Sequence, residues 1–116
     1  MSIANVIRER RSIKKGYKPD PVPEELVLEL LNDAVYAPTH GLRQPWRFLF
    51  VPSARKAEFA EKLAQTYAPD QREKRRSLLN EPSAYLIVIM QEDPRQKQWE
   101  EDFSATCALI QNFQLL

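Results

Sequence analysis

Glycine, cysteine and histidine are all scarce in this 116-residue chain, which has two glycines, one cysteine and one histidine. Gly16 and Gly41 stand alone, so neither a G-x-G-x-x-G turn nor a P-loop can be built, and any phosphate must be held by side chains and a helix end. One thiol and one imidazole are too few for a zinc site of the usual nitrogen and sulfur ligands, and no metal is expected. Cys107 cannot form an internal disulfide, which suits a reducing compartment and predicts a cytoplasmic location. No apolar run is long enough to cross a bilayer. Arg8 and Glu9 fall where a signal peptide would be apolar, so no targeting segment is expected. The net charge of +1 supplies no global field to attract nucleic acid or an anionic membrane, and neither is expected as a partner.

What is present is ordinary for a globular protein, with 43% apolar and 28% charged residues. The length predicts one domain, residues 1–116, with a modest core. Ser2 is placed to cap a short helix ending near Glu9 or Arg10, with Ile3, Val6 and Ile7 on one face. Pro23 suits the first position of a second helix, whose stripe is Leu26, Val27, Leu30, Leu31, Ala34 and Val35 and whose end is set by Pro38. "WRFLFV" reads as a strand between Pro45 and Pro52. Ser53 is expected to cap a third helix burying Phe59, Ala60, Leu63, Ala64 and Tyr67, stopped by Pro69.

"DQREKRRSLLN" is a fourth segment, helix or loop. "AYLIVIM" is a second strand, apolar enough to predict burial on both faces. Asp93 and Pro94 are expected to start a fifth helix of about 34 Å, with Trp99, Phe103, Thr106, Ile110 and Phe113 as its buried face. Two strands make a poor sheet, so the pattern predicts that further strands come from another chain or from a longer protein.

Three polar clusters could carry function. In "RERRSIKK", Arg10, Arg11, Ser12 and Lys14 place forked cations, a hydroxyl and an amine within one turn, a set that matches phosphate oxygens. The same residues also read as a solvated cationic helix end that complements the dipole. In "APTHGLRQPW", Pro38 and Pro45 stiffen a loop in which Thr39 and His40 offer polar atoms and Trp46 provides an anchor; taken by itself, the loop reads first as ordinary turn chemistry. "QREKRR" reads as a solvated face, nucleic-acid contact through Arg72, Arg75 and Arg76 being a weaker reading. Glu100, Glu101 and Asp102 read as an exposed acidic surface, and Cys107 as a small buried hydrophobe. His40 has no G-x-S-x-G serine to serve, so no catalytic side chain is assigned.

The blocks "RRSIKK", "APTHGLRQPWRFLFV", "EPSAYLIVIM" and "DFSATCALIQNFQLL", in this order and spacing, resemble the N-terminal part of the nitroreductase family. The resemblance implies an α+β, nitroreductase-like α-β-α sandwich, here with helices and at least two strands, that forms a homodimer with flavin at the interface. It implies an FMN-dependent oxidoreductase drawing electrons from NADH or NADPH and passing them to a nitroaromatic, quinone or similar small acceptor. Arg10, Arg11 and Ser12 then map to the FMN phosphate and ribityl chain, and Lys14 to the pyrimidine side of the ring. Pro38, Thr39 and His40 map to the loop that covers the flavin of the other subunit. Many members carry Asn where this chain has Leu42, and the family's later elements are absent. The alternative is a truncated, flavin-free relative acting as a helical dimerisation module.

Overall fold

The computed structural model describes residues 1–116 as an α+β protein. In chain order the elements are α1 (Ile3–Glu9), α2 (Glu24–Ala34), a 3₁₀ turn at His40–Leu42, β1 (Trp46–Val51), a second 3₁₀ turn at Ser53–Arg55, α3 (Lys56–Ala64), α4 (Arg72–Leu79), β2 (Tyr85–Met90) and α5 (Gln96–Leu115). The two strands pair with each other. The Gln91 N–H, just past β2, donates to the Pro45 carbonyl just before β1 at 2.8 Å, so the pair is antiparallel. The backbone groups into two compact units: Met1–Arg11 with Glu25–Leu49 and Val88–Leu116, and Ser12–Glu24 with Phe50–Ile87.

In the first unit, Ala34, Ala37, Trp46, Ala105 and Leu109 form the buried cluster, with Phe48, Val88 and Phe113 packed half-buried against it. Three alanines pack around one indole, and Leu109 has no exposed surface. As expected, Ser2 caps α1, its Oγ accepting from the Asn5 N–H at 3.3 Å. α2 begins one residue after Pro23 and ends at Ala34 rather than running to Pro38. Its closing carbonyl accepts from the Asn112 side chain of α5 at 3.3 Å, and two tight turns carry the chain onward.

The fifth helix corrects the expected face. Its buried residues are Asp102, Ala105, Thr106 and Leu109, so of the anticipated stripe only Thr106 is fully buried. Trp99 and Phe103 face outward, stacked on each other with centroids 5.2 Å apart, and Phe103 is 50% exposed. Burial follows the small residues Ala105 and Thr106, which allow close packing, and rotates the aromatics out. Cys107 lies on the outward side and is exposed, not buried. The helix starts at Gln96 rather than at Asp93, because the Asp93 carboxylate is taken up in a turn, accepting from the Arg95 N–H at 2.9 Å.

In the second unit, α3 packs on α4. Ala60 and Ala64 are buried, and Phe59 meets Tyr85 at 4.9 Å in a tilted pair. Ser53 does not cap a helix; its hydroxyl donates to the Ser83 carbonyl at 2.6 Å, and a 3₁₀ turn precedes α3. The basic segment folds as α4, with Lys74 exposed as a solvated face requires, while its three arginines are engaged by neighbouring groups. Arg76 pairs with Glu61, the Arg72 Nε donates to the Tyr67 carbonyl at 3.0 Å, and Arg75 lies over the Tyr67 ring at 4.9 Å.

β2 is half-buried along most of its length, with Ile89 exposed. The expected burial on both faces is not met, because only one strand neighbours it. No helix is long and apolar enough to cross a membrane.

Leu109→Ala should destabilise the protein by about 2–5 kcal/mol, the cost of a core truncation that leaves a cavity. Phe103→Ala should cost clearly less, since that ring is half in solvent. Urea unfolding of both variants checks the orientation of α5; equal losses would contradict it.

Candidate functional site

The loop between α2 and β1 is fixed at both ends by burial. Ala37 is buried on one side, and Pro45 and Trp46 on the other. Between them Pro38 and His40 are exposed and Thr39 is half-buried. Gly41, Leu42 and Gln44 all have positive φ, at 56°, 54° and 46°. For the two that carry side chains, this left-handed geometry costs on the order of 1–3 kcal/mol each. Leu42 regains nothing by burial, being 79% exposed. The Thr39 hydroxyl accepts from the Gln44 N–H at 3.1 Å, and the Arg43 N–H donates to the His40 carbonyl at 3.2 Å.

Arg43 supplies the longer-range tie. Its Nε and Nη2 donate to the two oxygens of Asp102 on α5 at 3.0 and 2.9 Å, a forked pair, and Nη2 also reaches Asp93 at 3.1 Å. Asp102 is only 2% exposed and accepts a third bond from Gln98 at 3.1 Å. The Arg43 hydrogen bonds hold the Asp102 carboxyl below its ordinary titration range, against the opposing effect of burial. Asp93 is pushed still further down, chiefly by the Arg95 side chain, which meets it at 2.8 Å.

This network was not read from the sequence. Asp102 looked like the third of three exposed acids, and nothing local pairs it with a residue 59 positions away. The usable signal was its spacing, three and four residues before Ala105 and Thr106, which places it on their side of a helix.

Two open grooves flank the loop on α5. One, of roughly 590 Å³, runs between Pro38 and the stretch from Lys97 to Ala108. The other, of roughly 200 Å³, is lined by His40, Arg95, Lys97, Gln98 and Glu101. Pro38 lines the first and His40 the second.

The N-terminal cluster has a different character. Arg10 is half-buried, while Arg11, Ser12 and Lys14 are exposed. The Arg11 guanidinium donates to the carbonyls of Arg8 and Arg10 at 2.6 and 2.8 Å, closing the end of α1. None of Arg10, Arg11 and Lys14 is paired with a carboxylate. An unpaired cationic set with a neighbouring hydroxyl fits an anionic phosphate.

Comparison with known proteins places this fold. A Bacillus cereus nitroreductase-like family protein superposes with a TM-score of 0.86 at 41% identity, over 99% of this chain and 63% of its own. A Desulfovibrio desulfuricans nitroreductase, solved in complex with FMN, shares the fold with a TM-score of 0.72 at 23% identity, over 97% of this chain and 60% of its own. A Bacillus subtilis protein provisionally named NAD(P)H nitroreductase YfhC is 36% identical over 98% of this chain and 62% of its own length. The chain thus spans a little under two thirds of these relatives.

Because both Asp93 and Asp102 titrate lower in the folded than in the unfolded chain, the unfolded state binds more protons in acid. Stability from this network is complete above the unfolded aspartate pKa of about 3.9 and is lost as pH falls through the lower folded values. Asp102→Asn should flatten the acid limb of a plot of urea midpoint against pH, and an unchanged limb would show that the pair is not formed in solution.

The family model described as the nitroreductase family matches residues 7–116, and with this fold and these relatives the chain belongs to the nitroreductase family.

Proposed function

We propose that this chain contributes to an FMN-dependent oxidoreductase that takes electrons from NADH or NADPH and passes them to a nitroaromatic, quinone or similar small acceptor. The observation that carries the reading is the run Arg10, Arg11, Ser12 and Lys14, whose cations have no carboxylate partner, on a chain of this family. The FMN in the Desulfovibrio relative and the name of the Bacillus subtilis relative support the cofactor and the donor.

In this reading Arg10, Arg11 and Ser12 hold the FMN phosphate and ribityl chain by charge-assisted hydrogen bonds. Lys14 lies toward the pyrimidine edge, where a cation favours negative charge on the ring. Pro38, Thr39 and His40 cover the flavin of a second subunit. The flavin, when bound, supplies the hydride chemistry, so the protein needs no nucleophile of its own. Its tasks are to bind, to orient and to exclude water. A homodimer is part of the proposal, and the outward Trp99–Phe103 stack on α5 supports it as apolar surface suited to a second copy. The free thiol of Cys107 suits the cytoplasm.

Purified protein should take up FMN, turn yellow and bleach on addition of NADH or NADPH. Protein that stays colourless with added FMN would instead favour a flavin-free interaction module. Arg10→Ala should weaken FMN by roughly ten- to a hundredfold, the range of one lost charge-assisted hydrogen bond, measured by quenching of flavin fluorescence. His40→Ala should alter turnover or acceptor preference more than FMN affinity, as steady-state kinetics with two acceptors would show.

A further inference from the structure

We propose that the Arg43–Asp102 pair is a positioning device that presets the Pro38–His40 segment for its ligand. This rests on the flavin reading above and adds to it two residues that touch neither phosphate nor ring.

The argument starts from strain. Leu42 and Gln44 hold positive φ without any apolar burial at Leu42 to offset it. A short exposed loop left to itself would relax to commoner backbone angles and carry His40 with it. Arg43 sits between the two strained residues in an ordinary helical conformation, φ −64° and ψ −33°. Its fork grips a carboxylate on α5 at 3.0 and 2.9 Å. A planar guanidinium bonded at two points fixes direction as well as distance. The tie therefore sets where the Arg43 backbone lies, and with it the 3₁₀ turn that begins at His40.

Asp102 is held in turn. Gln98 donates to it from the preceding turn of α5, and α5 is locked by Leu109 and Ala105 in the core. The anchor is thus a rigid helix, and the anchored element is the loop whose Pro38 and His40 line the two grooves. The Thr39–Gln44 hydrogen bond closes the loop on itself, so that it moves as one body with Arg43. A preset loop spares the ordering cost when a ligand arrives.

Arg43→Lys keeps the charge and removes the fork; Asp102→Asn keeps the shape and removes the charge. Both should weaken flavin by about tenfold, through lost preorganisation. The discriminating readout is the ratio of FMN to riboflavin affinity. Because the loop covers the ring, both variants should lose FMN and riboflavin equally, whereas Arg10→Ala should lose FMN selectively.

Amide hydrogen exchange on the flavin-free protein gives an independent measure. The Arg43 and Gln44 amides should exchange roughly tenfold faster in each variant, beyond any change shared with the core amides of α5. Wild-type protein that binds neither flavin would overturn the functional reading. Wild-type binding with unaltered flavin affinity in both variants, or with unaltered loop exchange, would overturn the positioning role and leave that reading standing.

Discussion

A carboxylate withdrawn from water needs a cation at hydrogen-bond distance, and Asp102 obtains one from the loop between α2 and β1. That demand organises the first unit. Leaving Asp102 unpaired in the interior would be strongly destabilising, so α5 cannot settle on the core without bringing Arg43 with it. The rotation of α5 follows from the same contact. With Asp102, Ala105 and Leu109 turned inward, the aromatics at Trp99 and Phe103 have no room inside and lie on the surface. A loop that would otherwise be free becomes part of the packing through Arg43, although Pro38, His40 and Leu42 remain in solvent.

Much of the fold was legible because local chemistry and global packing agree there. Ser2 before an apolar turn, the Trp46–Val51 run between prolines, and the branched residues of β2 all signal elements that the structure contains. Trp46 was identifiable as an anchor because a large ring directly after Pro45, at the start of an apolar strand, has few places to go but inward. The failures at three polar residues share one cause. Ser53, Asp93 and Asp102 were each judged by near neighbours in sequence, and each is satisfied by something else. Ser53 serves a carbonyl on another segment, Asp93 closes a turn, and Asp102 receives a guanidinium from far along the chain. Polar side chains have several local uses, and only tertiary structure selects among them.

The two polar clusters singled out from sequence differ in how the fold treats them. The loop residues Pro38 and His40 are exposed between the buried Ala37 and Pro45, on a loop tied to α5 through Arg43. At the end of α1, Arg10 is half-buried, Arg11 and Lys14 are exposed, and none of the three has a carboxylate partner. In the basic run of α4, superficially similar in composition, the arginines are engaged by Glu61 and Tyr67. Charge density alone would not have separated these two basic stretches, but their partners do.

Both tryptophans, Trp46 and Trp99, belong to the same compact unit, one enclosed and the other on the outer surface of α5. The second unit has only tyrosines among its strong ultraviolet absorbers, including Tyr67 and Tyr85. Indole emission from this protein is therefore a regional signal. Its blue component follows the α2–α5 core and its red component follows an exterior aromatic, while the packing of α3 on α4 contributes no indole light at all.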